Sequence, residues 1–278
     1  SGTGASSRCV IFGISAGSFL VTRLEPLNLP TGRLLAGFTA ALSCVGLFTL
    51  PLLSQLPVWM MDLLLDFSNQ WWLLQGIELV LVGLVVALPA TLMGTAFPLA
   101  ARLAVTGERF TQSLGRLYAA NTAGNIAGSF CAGALLIPAI GIENTIALAS
   151  QIVAVVSALF CLALLTEPKR VRLQLAGGIL VLPVLLFSVL PGWEQLMMNA
   201  GVYIYAGLYQ RTARTNQMDI RAAVKLSGKT IYYKEGISAT VSVRELHSGD
   251  RVLVINGKTD ASSVSDMKTQ RMMGHLPM

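Results

Sequence analysis

Long apolar runs separated by short polar loops fill the chain as far as Leu190, and the pattern then changes. A helix that crosses a bilayer needs about 20 mostly apolar residues. The runs therefore predict six spans, near 9–22, 34–53, 71–98, 117–138, 144–165 and 172–190. Pro89 and Pro98 fall in the second half of the third span, where each removes a backbone donor and must be accommodated by neighbours. Trp71 and Trp72 open that span and Trp193 follows the sixth, as expected of indoles at a membrane interface. Pro191-Gly192 breaks the last span. The next segment, Met198 to Tyr209, holds three tyrosines and no charge, which suits either a membrane surface or packing beneath the C-terminal tail.

Beyond that joint the period shortens. Asp219 to Leu226, Thr230 to Lys234, Ala239 to Glu245 and Arg251 to Ile255 are rich in β-branched and aromatic residues. Ser227-Gly228, Glu235-Gly236 and Ser248-Gly249-Asp250 separate them with turn chemistry, so four strands are predicted. Val241 and Val243 alternate with Thr240, Ser242 and Arg244, which predicts a strand with one wet face. Ser262 or Ser263 is placed to cap a helix running to Gly274, with Met267, Met272 and Met273 on its apolar face. The fold expected is a multi-pass α-helical membrane bundle of about six spans followed by a small antiparallel β-domain. Its expected parts are a membrane domain over 1–192, a linker or interfacial segment over 193–217 and a β-domain over 218–278.

Composition agrees with that division. Of 278 residues, 54% are hydrophobic and 12% charged, against about a quarter charged in a soluble domain. The formal charge of +6 does not indicate nucleic acid, because no basic-aromatic stripe is present and the basic residues lie in short loops and along the tail. Cys9, Cys44, Cys131 and Cys161 sit far apart in apolar runs without metal-ligand spacing, so no metal site or disulfide framework is expected.

Loop charges alternate. Arg23 and Arg33 lie between spans one and two, Arg102, Arg109 and Arg116 between three and four, and Lys169, Arg170 and Arg172 between five and six. The loops after spans two and four carry Asp62, Asp66 and Glu143 instead. The positive-inside rule places the basic loops in the cytoplasm, and six spans then bring the tail out on the other side.

Two features inside the apolar runs carry candidate chemistry. In span four Asn121, Gly124, Asn125, Gly128 and Ala132 fall on one helical face. Small residues let a second helix approach closely, so this face is either a helix–helix seam bonded by its amides or a polar path through the bundle. Gly13 and Gly17 form a weaker pattern of the same kind in span one. Glu78 lies within span three, where a carboxylate serves cation or proton coupling, or reaches the interface near the start of the span.

Several motifs then resemble a known family. The tail has Val254-Ile255-Asn256-Gly257, then Ser265-Asp266-Met267-Lys268-Thr269-Gln270-Arg271-Met272, then His275-Leu276-Pro277-Met278. It is similar to the N-terminal β-domain of polyamine aminopropyltransferases, the spermidine synthase family. There a strand ends in Leu-Asp-Gly, a helix comes next of the form Asp-Glu-x-x-Tyr-(His or Gln)-Glu-Met, and a Leu-Pro segment closes the domain. The stretches from Leu88 to Pro98 and from Leu117 to Gly124 resemble the membrane part of bacterial fusions of a transporter-like domain to spermidine synthase. The resemblance implies a plasma-membrane protein that transfers an aminopropyl group from decarboxylated S-adenosylmethionine, as co-substrate, to a small amine, with no bound cofactor. It also implies a Rossmann-like nucleotide-binding half after Met278, so the 278 residues are expected to be a fragment that is inactive alone and carries no catalytic residue. Both ends read as truncated.

Carried over residue by residue, the resemblance makes Gln270 a substrate contact and places Thr269 and Asn256 beside it, where the family has Tyr and Asp. His275 is either a ligand or a packing group at the helix end. The family's nucleoside-contacting glutamine falls near Ser238, and Arg271 replaces a glutamate. Fewer acids and the added Lys268 and Arg271 make a poor cradle for a dication, which implies an acceptor other than putrescine or a branch that no longer makes spermidine. The family's chemistry is cytoplasmic, whereas the loop charges place the tail outside, and a different course for the last span would reconcile them. Expected partners are the lipid bilayer and a small amine, with a second copy of the chain left open and nucleic acid excluded. The competing readings are a transporter for polyamines or related amines, with Glu78, Asn121 and Asn125 in its path and the tail as sensor, and a structural scaffold.

Overall fold

A computed structural model describes residues 2–66, 70–104 and 110–276. Six long helices come first: α1 (Gly2–Leu24), α2 (Thr31–Asp66), α3 (Trp71–Ala104), α4 (Phe110–Phe130), α5 (Ile137–Leu164) and α6 (Lys169–Val189). Five stretches among the described residues are long and apolar enough to cross a membrane. The count differs from six because α4 and α5 run on through a π-helical segment, Cys131–Leu136, into one apolar stretch of 55 residues. At 1.5 Å per residue that stretch would be about 80 Å long, well over twice a hydrocarbon core of about 30 Å. It is interrupted at Gly141, whose backbone (φ 82°, ψ 169°) is not helical. Gly141 lies in the gap expected between the fourth and fifth spans. The other expected spans fall within single helices, most of which extend further than the apolar core alone indicated. Of the loop arginines, Arg109 lies outside the described residues.

The chain divides into two compact units. The first comprises residues 1–52, 77–132 and 143–191. Two seams hold it together. In one, α1 meets α3 so closely that a side chain at Gly17 would lie 2.0 Å from the Thr91 carbonyl oxygen, and one at Gly94 would lie 2.2 Å from that of Ile14. The Ser18 hydroxyl donates to the Gly94 carbonyl across this contact (3.1 Å). In the other, α2 and α5 are joined by hydroxyls: Ser43 donates to the Ser150 carbonyl (2.8 Å) and Ser157 to the Ala36 carbonyl (2.7 Å). Without water to drive apolar association, such close contacts and interhelical hydrogen bonds are what hold membrane helices together. At the helix ends Arg33 pairs with Glu167, and Arg102 with Glu25 (3.4 Å).

The second unit comprises residues 53–76, 133–142 and 192–278. Its helices are α7 (Gln195–Met198), α8 (Val202–Thr215), α9 (Ile220–Leu226) and α10 (Met267–His275). Its sheet has strands β1 (Lys229–Glu235), β2 (Thr240–Glu245), β3 (Arg251–Ile255) and β4 (Lys258–Ser262), antiparallel in the order β1-β2-β3-β4. The strand expected over 219–226 is a helix instead. Asp219 caps α9 by accepting the Arg221 N–H (3.3 Å), and Ala223 and Val224 are buried. Helical spacing and the cap outweigh the β-branched content of this short segment. The fourth strand comes from Lys258–Ser262. It joins β3 through a two-residue turn at Asn256-Gly257, where both residues have positive φ (49° and 84°) and Ile255 pairs with Lys258. An Asn-Gly pair is the residue choice such hairpins require.

The core of this unit is Met61, Met197, Ala200, Ala206, Tyr209 and Val224. One face of the segment from Met198 to Tyr209, with Ala200, Ala206 and Tyr209, packs in this unit, while Ile204 and Leu208 on the same segment are exposed. Glu194 adds ion pairs to Lys225 (2.8 Å) and Arg221 (3.6 Å), and Arg221 also donates to Gln55 (2.9 Å).

Candidate functional site

The expected substrate contacts occupy two places. Asn256 is exposed in the β3–β4 turn, where its side-chain oxygen accepts the Thr240 N–H (2.9 Å). That bond and its positive φ make Asn256 a structural residue of the hairpin, pinning the β3–β4 turn to the start of β2. Thr269 and Gln270 lie next to each other on α10, the first exposed and the second half-buried. The Gln270 Nε2 atom is buried and has no hydrogen-bond partner among the described residues. No hydrogen bond joins Asn256 to either of them among the described residues. His275 is exposed in the last turn of α10.

The helix start differs from expectation in one detail. Asp266 is the residue at its N-cap and its side chain makes no capping bond. Ser262 contributes from outside, accepting the Asp266 N–H (2.7 Å) and sharing a hydrogen bond with Ser265 (2.8 Å). The larger anchor is Asp250. Its carboxylate accepts the Ser263 hydroxyl (2.9 Å), the Val264 N–H (3.0 Å), the Ser265 N–H (3.2 Å) and the Ser265 hydroxyl (2.9 Å). Burial alone would raise the pKa of this carboxyl, but the hydrogen bonds from Ser263, Ser265 and Val264 outweigh it and hold the group below the usual carboxylate range. Met272 and Met273, expected on an apolar face, are both exposed, and no residue of α10 is buried in the described chain.

The face of β2 is reversed relative to its polarity. Ser242 and Arg244 are buried, and Val241 and Val243 are the half-buried side. Alternation sets the period of a strand, and what packs on each face decides which side is covered. Here the covering segment is the stretch around Asn199. Its amide donates to the Ser242 hydroxyl, and its carbonyl accepts Arg244 Nη2 (3.0 Å). Arg244 Nη1 reaches the Tyr209 hydroxyl (3.4 Å) and the Ser227 hydroxyl (3.3 Å). Arg244 lines a cavity of about 320 Å³ walled by α8, α9 and the sheet. This group was not singled out from the sequence. The available signal was a charged residue at a fixed period from Ser242, and that signal does not say which face is buried.

A second buried charge lies at the end of β1. Glu235 accepts the Tyr233 hydroxyl (2.7 Å) and the backbone N–H of Ile142, the residue after the Gly141 break. A carboxylate at the exposed N–H groups of a restarting helix satisfies a donor and complements the helix dipole. Burial and the bond to Glu235 push the Tyr233 phenol upward, against a smaller opposing effect of Trp193.

In the first unit, Asn121 and Asn125 are exposed along α4, and their side chains make no hydrogen bond among the described residues. Among the described residues, no atom beyond the local backbone of the helix comes within 4 Å of where a side chain at Gly124 or Gly128 would stand, and α4 has no buried residue. The expected seam on this face is therefore not made within the described chain. The weaker pattern, Gly13 and Gly17, is the one that is packed. Glu78 is half-buried in α3 and has an interaction partner. No group of three or more His, Cys, Asp or Glu placed to hold a metal occurs among the described residues. Compared with protein-family models, curated proteins and solved structures, the chain matches none.

Proposed function

We propose that this chain is the membrane anchor and β-domain of an aminopropyltransferase-like protein, acting on decarboxylated S-adenosylmethionine and a small amine. The observation that carries this reading is Gln270. It stands at the position where the resemblance puts a substrate contact, on a helix after an antiparallel sheet, with a buried amide nitrogen that lacks a partner among the described residues. The exposed methionines on the same helix support it, because that face is open to a further segment or a ligand. Asn256, by contrast, is occupied in its turn and has no part in the proposed contact.

The helical part is proposed to cross the membrane six times, with the break at Gly141 separating the fourth and fifth crossings. Six crossings place the tail across the membrane from the basic loops, so the transferase reading, whose chemistry is cytoplasmic, requires those loops to lie outside against the positive-inside rule. A reporter fused after Arg214 tests that side directly, and a tail on the outer side counts against the transferase. The transferase reading is tested by expressing the complete reading frame and measuring methylthioadenosine release with a series of diamines. Release that falls in Gln270→Ala is the expected result. No release with any diamine overturns the reading. The alternative, a transporter for polyamines or related amines, predicts uptake of labelled putrescine by proteoliposomes containing the chain.

A further inference from the structure

We propose that the cavity at Arg244 binds a small monocarboxylate with an apolar body. The inference rests on charge and burial within the second unit and is independent of the transferase reading. Arg244 is 6% exposed. A guanidinium carries a full positive charge, and here it is held out of water. Its hydrogen-bond partners are a carbonyl and two hydroxyls, all neutral, and two of the three contacts are long. Its Nε has no partner at all among the described residues.

No carboxylate pairs with Arg244 among the described residues, and no Asp or Glu lines the cavity. Four other cations of this unit have carboxylate partners, Lys225 and Arg221 in Glu194, Arg251 in Glu245 and Lys258 in Asp260. Those without one, Arg211, Arg214, Lys229, Lys234, Lys268 and Arg271, are exposed to water as Arg244 is not. A buried charge left with neutral acceptors carries a desolvation cost that an arriving anion would offset.

The walls select the kind of anion. Among the described residues Arg244 is the sole cationic residue of the lining, so the site offers one positive charge and suits a monoanion better than a phosphate dianion. Leu208, Leu226, Leu246 and Val252 supply apolar wall, and Leu208 and Leu226 are exposed there. The volume of about 320 Å³ is at the small end of ligand sites, which run from about 300 Å³ upward. A carboxylate on the guanidinium with an aliphatic body against these leucines fits both features.

The test uses the full chain in nanodiscs with radiolabelled octanoate, subtracting binding to empty nanodiscs. Unlabelled octanoate should compete, whereas octanol and octylamine, which keep the chain and lack the carboxylate, should compete at least about tenfold less well, and inorganic phosphate should not compete. Arg244→Met should abolish saturable binding. Because that variant removes three hydrogen bonds and could fail to fold, Thr212→Trp is the second arm: it fills the cavity from the half-exposed side and leaves Arg244 in place. Loss of octanoate binding in Thr212→Trp, with an unchanged elution profile, supports the site. Equal competition by octanol, competition by phosphate at octanoate concentrations, or full binding in a folded Arg244→Met or Thr212→Trp protein overturns it.

Discussion

Helices α1 and α4 carry the same signature, two glycines four residues apart on an otherwise ordinary face, and their surroundings are opposite. Gly13 and Gly17 lie against Ala90, Thr91 and Gly94 so closely that no side chain fits. Gly124 and Gly128 have no other described segment near them, although their face also carries two amides and reads as the stronger seam. Small residues permit close approach, but a partner helix must be brought there by the rest of the fold. In α1 that partner is α3. In α4 no described part of the chain fills the role.

The largest effect that bears on this contrast is expected at Gly17. Gly17→Leu places atoms where the Thr91 carbonyl stands, and backbone has little freedom to move, so the change should cost about 3 kcal/mol and lower the thermal midpoint of the purified chain sharply. Gly124→Leu should leave that midpoint unchanged. If both variants unfold alike, the α4 face is covered and the contrast fails.

Hydrogen-bonded polar groups give the next comparison. Ser157→Ala removes the hydroxyl that bonds the Ala36 carbonyl between α5 and α2, an expected loss of about 1 kcal/mol. Asn125→Leu on α4 has no bond to lose and should be neutral or stabilising in a detergent melt. A comparable loss for Asn125→Leu would reveal a partner for that amide.

In the second unit, Glu235→Ala should cost about 1 kcal/mol, through the N–H of Ile142 that it leaves without its acceptor. Hydrogen exchange at residues 141–143 should rise in this variant and stay unchanged in Gly128→Ala.

The smallest effect is expected at Asp250. Its carboxyl is held below the usual range in the folded chain, so the stabilisation it contributes is fully present above the unfolded value, near 3.9, and is lost as pH falls through the lower folded value. Melting curves of the wild-type chain should therefore steepen their decline below about pH 4. Asp250→Asn should flatten that decline, and an identical acid profile in both proteins would remove Asp250 from the account.

Much of this architecture is legible in the residues. The apolar runs mark the long helices, the Gly141 gap is visible as an interruption, and three of the four strands sit where β-branched residues and turn pairs place them. The errors have physical causes. Residues 219–226 satisfy a strand composition and a capped helical turn equally, and burial of Ala223 and Val224 against the core decides for the helix. Lys258–Ser262 is polar and carries little strand signal, yet the Asn-Gly pair before it makes the hairpin. Of the candidate contacts, Gln270 keeps a free buried donor among the described residues, whereas Asn256 is used by its own turn. Arg244 was hidden because alternation in β2 marks two faces without naming the inner one.

What the sequence alone determined is the set of long helices, since a backbone in lipid must satisfy its own hydrogen bonds and can do so in an uninterrupted apolar helix. It also determined the short-period tail, through turn residues that only certain backbone conformations accept. Which faces are covered was decided by tertiary structure alone. The glycines of α1 meet α3 while those of α4 meet nothing described, and Arg244 lies beneath Asn199 while Val243 of the same strand is partly open. Coverage depends on residues far apart in the chain, and no local period records it.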